Sequence, residues 1–374
     1  MQIKSIGIIT QPISRSGIIP LSNLVEIFYS ISSNIFLLTG DDGYDFFKKD
    51  DRLNVFRISH KNSSFFIKRI FHYILLQMRI SFWIFNTRKK IDIFIFFIGG
   101  DTLLLPMLEA TILRKKVVLL VAGSSIKTLE SKNDLLRYGL KIIRSITCCL
   151  ANTIIVYSER IIKEYSLEGW VRKILIAHEH FIDLNSFKIK KEYPSREFIV
   201  GYVGRFSEEK GILHLLHAVP DIVKIKPEII FLFIGNGELR YSIEQFIFEN
   251  HLSDKVVLLG WISHELLPDY LNQMKLLVIP SDTEGLPNVM LEAMACGTPV
   301  LAAPVGAIPD IIKDGETGFL MENNSPDNIA KNIIKVLHYR GIEKIINNNH
   351  NLIEKEYTLE KAAERYRNIL DMIG

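Results

Sequence analysis

Residues 276–300 read LLVIPSDTEGLPNVMLEAMACGTPV, and the fold of the chain turns on how this run is parsed. Leu276 to Pro280 is a short continuous apolar run, the pattern of a strand buried on both faces of a parallel sheet. Gly285 and Pro287 break the extended path, and Asn288 is the expected cap of the next helix. From Val289 the residues VMLEAMA are strong helix formers, stopped by Gly297, Thr298 and Pro299. Strand, loop and helix in that order place the loop at the C-terminal edge of an open α/β sheet, where such sheets hold ligands. The start of the helix leaves backbone N–H groups free and carries partial positive charge, which suits an anion or sugar hydroxyls. Glu284 lies on the loop, and Glu292 lies eight residues on, one turn inside the helix, so that both can face one crevice.

Two carboxylates at this spacing fit a solvated loop Glu and a helix-surface Glu equally well. The whole string is more specific: E-G-L-P-N-x-x-L-E-A-M-A-x-G-x-P-V, from Glu284 to Val300, resembles the donor-site signature of the retaining glycosyltransferases of family 4. That resemblance implies an α/β chain of the GT-B fold, with two Rossmann-like, doubly wound parallel-sheet domains facing a central cleft. It also implies that Glu284 touches the donor sugar, that the amides of Gly285, Leu286, Asn288 and Val289 meet sugar and phosphate, and that Glu292 holds the nucleotide ribose. Pro287 has no N–H, so its neighbours must supply the donors.

The preceding part of the C-terminal half repeats the same unit. Phe198–Val203 reads as a strand, and Gly204-Arg205-Phe206-Ser207-Glu208-Glu209-Lys210-Gly211 as the turn into a helix. A helix N-terminus already favours anions, so Arg205 and Lys210 beside it have no dipole reason to be there; a bound diphosphate supplies one. The other reading is a loop ion pair with Glu208 or Glu209. The run resembles the family's G-R-x-x-x-x-K-G, which by that likeness assigns Arg205 and Lys210 to the donor phosphates and joins them to Glu284 as the catalytic set. Residues 229–234 with Gly235 and Gly237, and residues 256–259 with Gly260 and Trp261, are two more strand-turn units. By resemblance these two turns line the base pocket and Gly204 joins the donor-binding set, although Trp261 fits a packed aromatic equally well. Gly315–Phe319 is read as a hairpin-like turn.

The first half alternates strand and helix patterns too, as a parallel sheet requires. Strands are expected at 3–10, 34–39, 53–58, 91–98, 117–121 and 153–158, with loops at 11–17, 40–43, 99–102 and 122–125. Gly17 alone stands for the family's glycine-rich diphosphate loop, and Ala122 stands where many members carry a His. The polar candidates for acceptor contact are Asp101, Ser124 and Ser125, with helix capping as the ordinary alternative. His178-Glu179-His180 replaces a Pro-Asn-Gly turn and offers His180 for acceptor or hinge contact; no Cys/His set completes four metal ligands, so no metal is expected.

At 374 residues the chain is long enough for two cores. The reading divides it into an acceptor domain at 1–190, a donor domain at 191–355 and a last helix at 356–374 that crosses back, with the polar run 189–197 as linker. Mean hydropathy is +0.17, yet no run of about 18 uncharged apolar residues suggests a spanning helix. Cys148, Cys149 and Cys296 form no disulfide framework and fit a reducing cytoplasm. Residues 1–177 hold 25 Lys/Arg and 14 Asp/Glu, a net +11, whereas residues 178–374 hold 20 and 28, a net −8. Such asymmetry points to an anionic partner at the N-terminal half, a membrane surface or a phosphorylated acceptor, and the apolar runs between the cations argue against nucleic acid. In Phe65–Phe85, FFIKRIFHYILLQMRISFWIF, a helical reading gathers Lys68, Arg69, His72 and Arg79 on one stripe and leaves Phe66, Ile70, Tyr73, Ile74, Leu76 and Trp83 around the rest. With Arg88, Lys89 and Lys90 behind it, this is either a peripheral anchor in anionic lipid on the cytoplasmic side or a helix packed in the core.

The expected activity is transfer of a hexose-type sugar, with retention inherited from the resemblance, from a nucleotide-diphosphate sugar to a glycan or lipid-linked acceptor, without a cofactor. Two alternatives stay open: a nucleotide-sugar epimerase of the same fold, and a membrane-associated protein that binds nucleotide sugar without turnover.

Overall fold

In a computed structural model, which describes residues 5–59, 66–123 and 136–373, the chain divides into two compact units. One comprises Met1–His180 with Glu360–Gly374, the other Phe181–Leu359. The first is built on a parallel sheet of β1 (Ser5–Ile13), β2 (Asn34–Asp41), β3 (Asn54–Arg57), β4 (Ile93–Phe96), β5 (Lys116–Val121), β6 (Thr153–Val156) and β7 (Ile174–Ile176), in the order β3-β2-β1-β4-β5-β6-β7. The second has β8 (Ile199–Val203), β9 (Ile230–Ile234), β10 (Val256–Gly260), β11 (Leu276–Ile279), β12 (Val300–Ala302) and β13 (Phe319–Leu320), in the order β10-β9-β8-β11-β12-β13. Both orders reverse beside the first strand of the unit, which makes each sheet doubly wound.

The strands read as apolar runs because helices cover both faces of each sheet. Phe94, Phe96, Phe231 and Phe233 are fully buried, and Tyr202 packs edge-on to Phe233 at 5.9 Å. The C-terminal helix Leu359–Ile373 belongs to the first unit, where Tyr366 meets Phe28 edge-to-face at 5.4 Å. Residues 189–197, expected as an open linker, are instead packed within the second unit. Buried Arg196 donates to the carbonyls of Lys191, Met274 and Cys296 and to the Thr298 hydroxyl, and Lys275 Nζ donates to the Tyr193 carbonyl at 2.8 Å. Four acceptors let a guanidinium sit in the core without a carboxylate.

Local boundaries differ from the sequence expectations for identifiable reasons. β1 runs on through Gln11-Pro12-Ile13, expected as loop: its ladder to β4 ends at Ile9, the Gln11 amide donates to the Ile98 carbonyl, and Pro12 and Ile13 pair with β2, where a proline is tolerated. The expected turn at 40–43 becomes the entry to a helix, Asp42–Phe47, held down by buried Phe47. Gly315–Phe319 is not a hairpin: β13 pairs parallel to β12. Pro287, not Asn288, occupies the cap position of the helix Asn288–Ala295, since its extended backbone and missing N–H suit a residue just outside the first turn. The helix Phe66–Thr87 packs one side into the core, as the second of the two sequence readings expects. It buries Leu76, Ile80, Trp83 and Ile84, with Trp83 edge-on to Phe94 at 6.2 Å, while its opposite side is exposed. Trp83, expected among the lipid-facing residues, is therefore a core residue.

Candidate functional site

In the second unit β8 lies between β9 and β11, so the loops that follow β8 and β11 diverge at the reversal of strand order and open a crevice at the carboxyl end of the sheet. The main chain ties these two loops together: the Asp282 amide donates to the Glu209 carbonyl at 3.0 Å. Two glycines permit close approaches among the turns after β8, β9 and β11. Gly211 has φ +65°, and a Cβ there would lie 2.0 Å from the Pro280 carbonyl oxygen; Gly235 has φ +142°, and its Cβ would lie 1.8 Å from that of Gly204. Any side chain at either position needs both a strained backbone and a displaced loop.

Onto this frame the two loops project a linked set of charges. Lys210 Nζ donates to both carboxylate oxygens of Glu284, at 2.7 and 2.8 Å, and the Ser281 hydroxyl donates to the first of them at 2.7 Å. Arg205 places Nη2 3.3 Å from Glu209 Oε1, so the loop ion pair that the sequence left open is present, while its own side chain remains 47% exposed. Burial works against ionisation of Glu209, but the Ser207 hydroxyl and the Arg205 and Lys210 cations outweigh it and hold its carboxyl below the ordinary range. The Tyr202 hydroxyl donates to the Arg205 carbonyl at 2.7 Å; burial, then Glu284 and Glu209, push this phenol well up. Arg205, Lys210 and Glu284 therefore gather at one place.

Glu292 is held separately, on the helix that leaves β11. It is buried, and His264 Nε2, from the loop after β10, lies 2.7 Å from its Oε1. Burial opposes the charge on His264, but the hydrogen bond to Glu292 and its negative charge win, so the imidazole pKa is raised. Phe187 lies against the same ring at 5.1 Å. Of the loop residues, Leu286 is buried, and Gly285, Asn288 and Val289 are half-buried at the mouth of the helix. Gly204 donates to the Ile234 carbonyl and Gly235 to that of Gly260, with Gly237 against the Phe206 main chain; Trp261 is 43% exposed.

Sequence reasoning misses Ser281 and His264. Ser281 stands three residues before Glu284 and is open to inference as a local partner; nothing in the sequence joins His264 to Glu292 across 28 positions.

The first unit's candidates are more dispersed. Gly17 has φ −87°, a backbone that any residue adopts. The left-handed position is Gly99, φ +81°, on the loop after β4, where Gln11 Nε2 donates to the Gly99 carbonyl and, at 2.6 Å, to the Thr102 hydroxyl. Asp101 is 5% exposed, its carboxyl pushed up to about 6 by burial against the pull of Arg144. His180 and Glu179 are buried too. The Tyr157 hydroxyl donates to Glu179 Oε1 at 2.5 Å, and burial pushes that carboxyl up to about 7. Ser124 and Ser125 lie outside the described residues. Among the described residues no three His, Cys, Asp or Glu gather as a metal-holding group, and no helix is long and apolar enough to cross a membrane.

Known proteins sharpen this picture. Residues 185–364 match the family described as Glycosyl transferases group 1. Two curated relatives at 32% identity are matched over 46% and 48% of this chain and 48% and 47% of their own, so the chain spans about half the length of these relatives. A glycosyltransferase of Methanocaldococcus jannaschii, itself uncharacterized, is 25% identical over 90% of this chain and 92% of its own. The Escherichia coli UDP-Gal:alpha-D-GlcNAc-diphosphoundecaprenol alpha-1,3-galactosyltransferase is 26% identical over 47% of this chain and 46% of its own. Among solved structures, Anabaena Alr3699/HepE in complex with UDP-glucose aligns with a TM-score of 0.79, covering 98% of this chain and 99% of that one at 17% identity, a likeness of fold. Residues 185–364 thus match the family of glycosyl transferases group 1, within a chain that has the GT-B fold of two Rossmann-like parallel-sheet units.

Proposed function

We propose that this chain is a glycosyltransferase that moves a hexose-type sugar from a nucleotide-diphosphate sugar to a lipid-linked or cell-surface glycan acceptor, with retention at C1, in the manner of family 4. The observation that carries this reading is the cluster of Lys210, Ser281, Glu284 and Arg205 at the strand-order reversal of a group 1 domain. On this reading Lys210 and Arg205 neutralise the departing diphosphate, together with the amides at the start of Asn288–Ala295, where charge grows as the bond breaks. Glu284 accepts hydrogen bonds from the donor sugar and Glu292 from the ribose. The C1–O bond to the diphosphate breaks, the acceptor oxygen bonds to C1 on the same face, and its proton passes to the leaving phosphate oxygen. Two cations and the helix end supply the neutralisation, so we expect no divalent metal to be needed. The lipid-linked acceptor is supported by the net +11 of residues 1–177 and by what the Escherichia coli relative is named for, and it places the protein peripherally at the cytoplasmic face of an anionic membrane.

The test is a thermal-shift panel of nucleotide sugars, followed by incubation of the strongest ligand with membrane lipid extract in EDTA and determination of the product's anomeric configuration. Transfer of the donor's anomer is expected. A β-linked product from an α-linked donor overturns retention; donor affinity unchanged in Arg205→Ala and Lys210→Ala overturns the phosphate assignment.

A further inference from the structure

Three helices of the first unit, Phe66–Thr87, Leu104–Ile112 and Leu136–Leu150, lie side by side, the second in contact with both others. The first has an apolar side that no core requires. Ile67, Phe71, Ile74, Met78, Phe82 and Phe85 are 80, 63, 46, 57, 68 and 44% exposed. At about 100° per residue they fall within an arc of about 80°, directly opposite the buried Leu76, Ile80, Trp83 and Ile84. Its neighbours continue the pattern. Leu105, Leu108 and Ile112 are 38, 40 and 67% exposed on the second helix, and Tyr138, Ile142 and Ile146 are 57, 65 and 42% exposed on the third. Exposed apolar residues scattered singly are ordinary, but one such row on each of three adjacent helices is a binding surface.

The charges around it identify the occupant. Beside the buried Arg144, the three helices carry five Lys or Arg, namely Lys68, Arg69, Arg79, Arg137 and Lys141, against a single acid, Glu109. Arg88 lies with its guanidinium 3.8 Å from the Phe85 ring centroid and Arg137 lies 5.0 Å from that of Tyr138, an aromatic body with a cationic tip that suits a headgroup boundary. A protein partner's interface mixes both signs; an apolar field with cations and almost no acids complements anionic lipid.

We propose that these three helices form one platform that rests flat on an anionic bilayer, the second and third helices contributing as the first does. The proposal deepens, and rests on, the reading that the protein works at a membrane. It commits to a lipid surface touched by three rows of side chains, none of which is in the proposed donor site.

Flotation of the full chain with vesicles of phosphatidylcholine and phosphatidylglycerol in equal amounts tests it, with pure phosphatidylcholine as control. Phe71→Glu/Phe82→Glu removes the first row and Leu108→Glu/Ile142→Glu the other two; far-ultraviolet circular dichroism and nucleotide-sugar binding check that each variant is folded. If a Glu pair unfolds the unit, Gln at the same positions replaces it. Wild-type flotation with the anionic vesicles, weakened by salt and reduced about tenfold or more in both variants, is the expected result. Flotation lost only in the first variant overturns the platform in favour of a single anchoring helix. Equal binding to pure phosphatidylcholine overturns the charge argument. Absent wild-type flotation with donor binding intact removes the membrane and leaves the donor site standing. A self-association that both variants abolish assigns the surface to a second copy and overturns the proposal.

Discussion

The bond between Lys210 and Glu284 joins the two loops of the proposed donor site, and its contribution is measurable by a double-mutant cycle. Lys210 Nζ reaches both carboxylate oxygens, at 2.7 and 2.8 Å, with the two side chains 25% and 9% exposed. Unit charges about 3 Å apart attract by roughly 5 kcal/mol at an effective dielectric of about 20. Desolvation of both groups cancels much of this, and the partly exposed lysine is screened, which leaves a net coupling of about 2 kcal/mol. Lys210→Met takes two bonds from an almost buried carboxylate and is expected to cost about 2–3 kcal/mol. Glu284→Gln keeps an acceptor for Ser281 and is expected to cost about 1 kcal/mol. The double variant should lose about 2 kcal/mol less than the sum of the two. The chain has three tryptophans, of which Trp83 and Trp170 lie in the first unit. A Trp83→Phe/Trp170→Phe background therefore leaves Trp261 to report urea unfolding of the unit that holds the bridge. A coupling below about 0.5 kcal/mol refutes the claim that this pair braces the site.

Three other outcomes are set by the geometry. Gly235→Ala would set its Cβ 1.8 Å from the Gly204 carbonyl oxygen at φ +142°, so it should destabilise the second unit by about 3 kcal/mol or more, read in the same urea titration, whereas unchanged stability would mean that the loops are looser than they stand. The raised pKa of His264 contributes stability that is full below the unfolded value near 6.5 and is lost as pH rises through the folded value; His264→Ala should thus lower the melting temperature more at pH 6 than at pH 9, modestly because the ring is 39% exposed, and equal losses at the two would remove the charged pair. Glu179, raised from 4.5 to about 7 by burial, binds its proton more tightly folded than unfolded, so wild-type stability should fall by about 3 kcal/mol between those pH values while Glu179→Gln stays flatter; parallel pH profiles would show that Glu179 does not titrate there.

The second unit was legible because its chemistry is local. Gly204–Gly211 and Glu284–Val300 are short runs whose spacing fixes a loop, a helix start and the charges on them, so likeness to a family and the physics of strand ends agree. What a sequence does not display is pairing between distant elements: His264 reaches Glu292 from the loop after β10, whereas the Arg205 pair is local and the sequence leaves open only the choice between Glu208 and Glu209. The first unit was legible in its strands and much less so in its loops. Gly17, chosen for its neighbourhood, takes an ordinary backbone, while Gly99 takes the left-handed one. His178-Glu179-His180 reads as an acceptor or hinge contact, and Tyr157, Arg365 and Tyr366 supply it with a buried setting that the local sequence does not display. The helix Phe66–Thr87 defeated a choice between core and interface because a helix has two sides, and here one is buried and the other is apolar and exposed.

The pairing of both cations with carboxylates sets the order of events in donor binding on the proposed reading. Lys210 is bonded to Glu284, and Arg205 lies beside Glu209, so a diphosphate that takes these cations must share or displace two carboxylates. A bare nucleotide diphosphate draws Lys210 and returns nothing to Glu284, which is left almost buried with less compensation. A nucleotide sugar brings hydroxyls that donate to the same carboxylate and restore its bonds. The intact donor should therefore bind more tightly than the diphosphate, by about ten- to thirtyfold for each charge-assisted hydrogen bond regained at about 1.5–2 kcal/mol. In Glu284→Gln the neutral amide neither holds Lys210 nor suffers when it leaves, so the diphosphate should bind at least as tightly as to wild type while the preference for the sugar-bearing ligand collapses. Isothermal titration of both ligands against both proteins decides it. A preference that survives in Glu284→Gln would show that the sugar is recognised elsewhere and that the lysine bond to Glu284 is only a brace between loops.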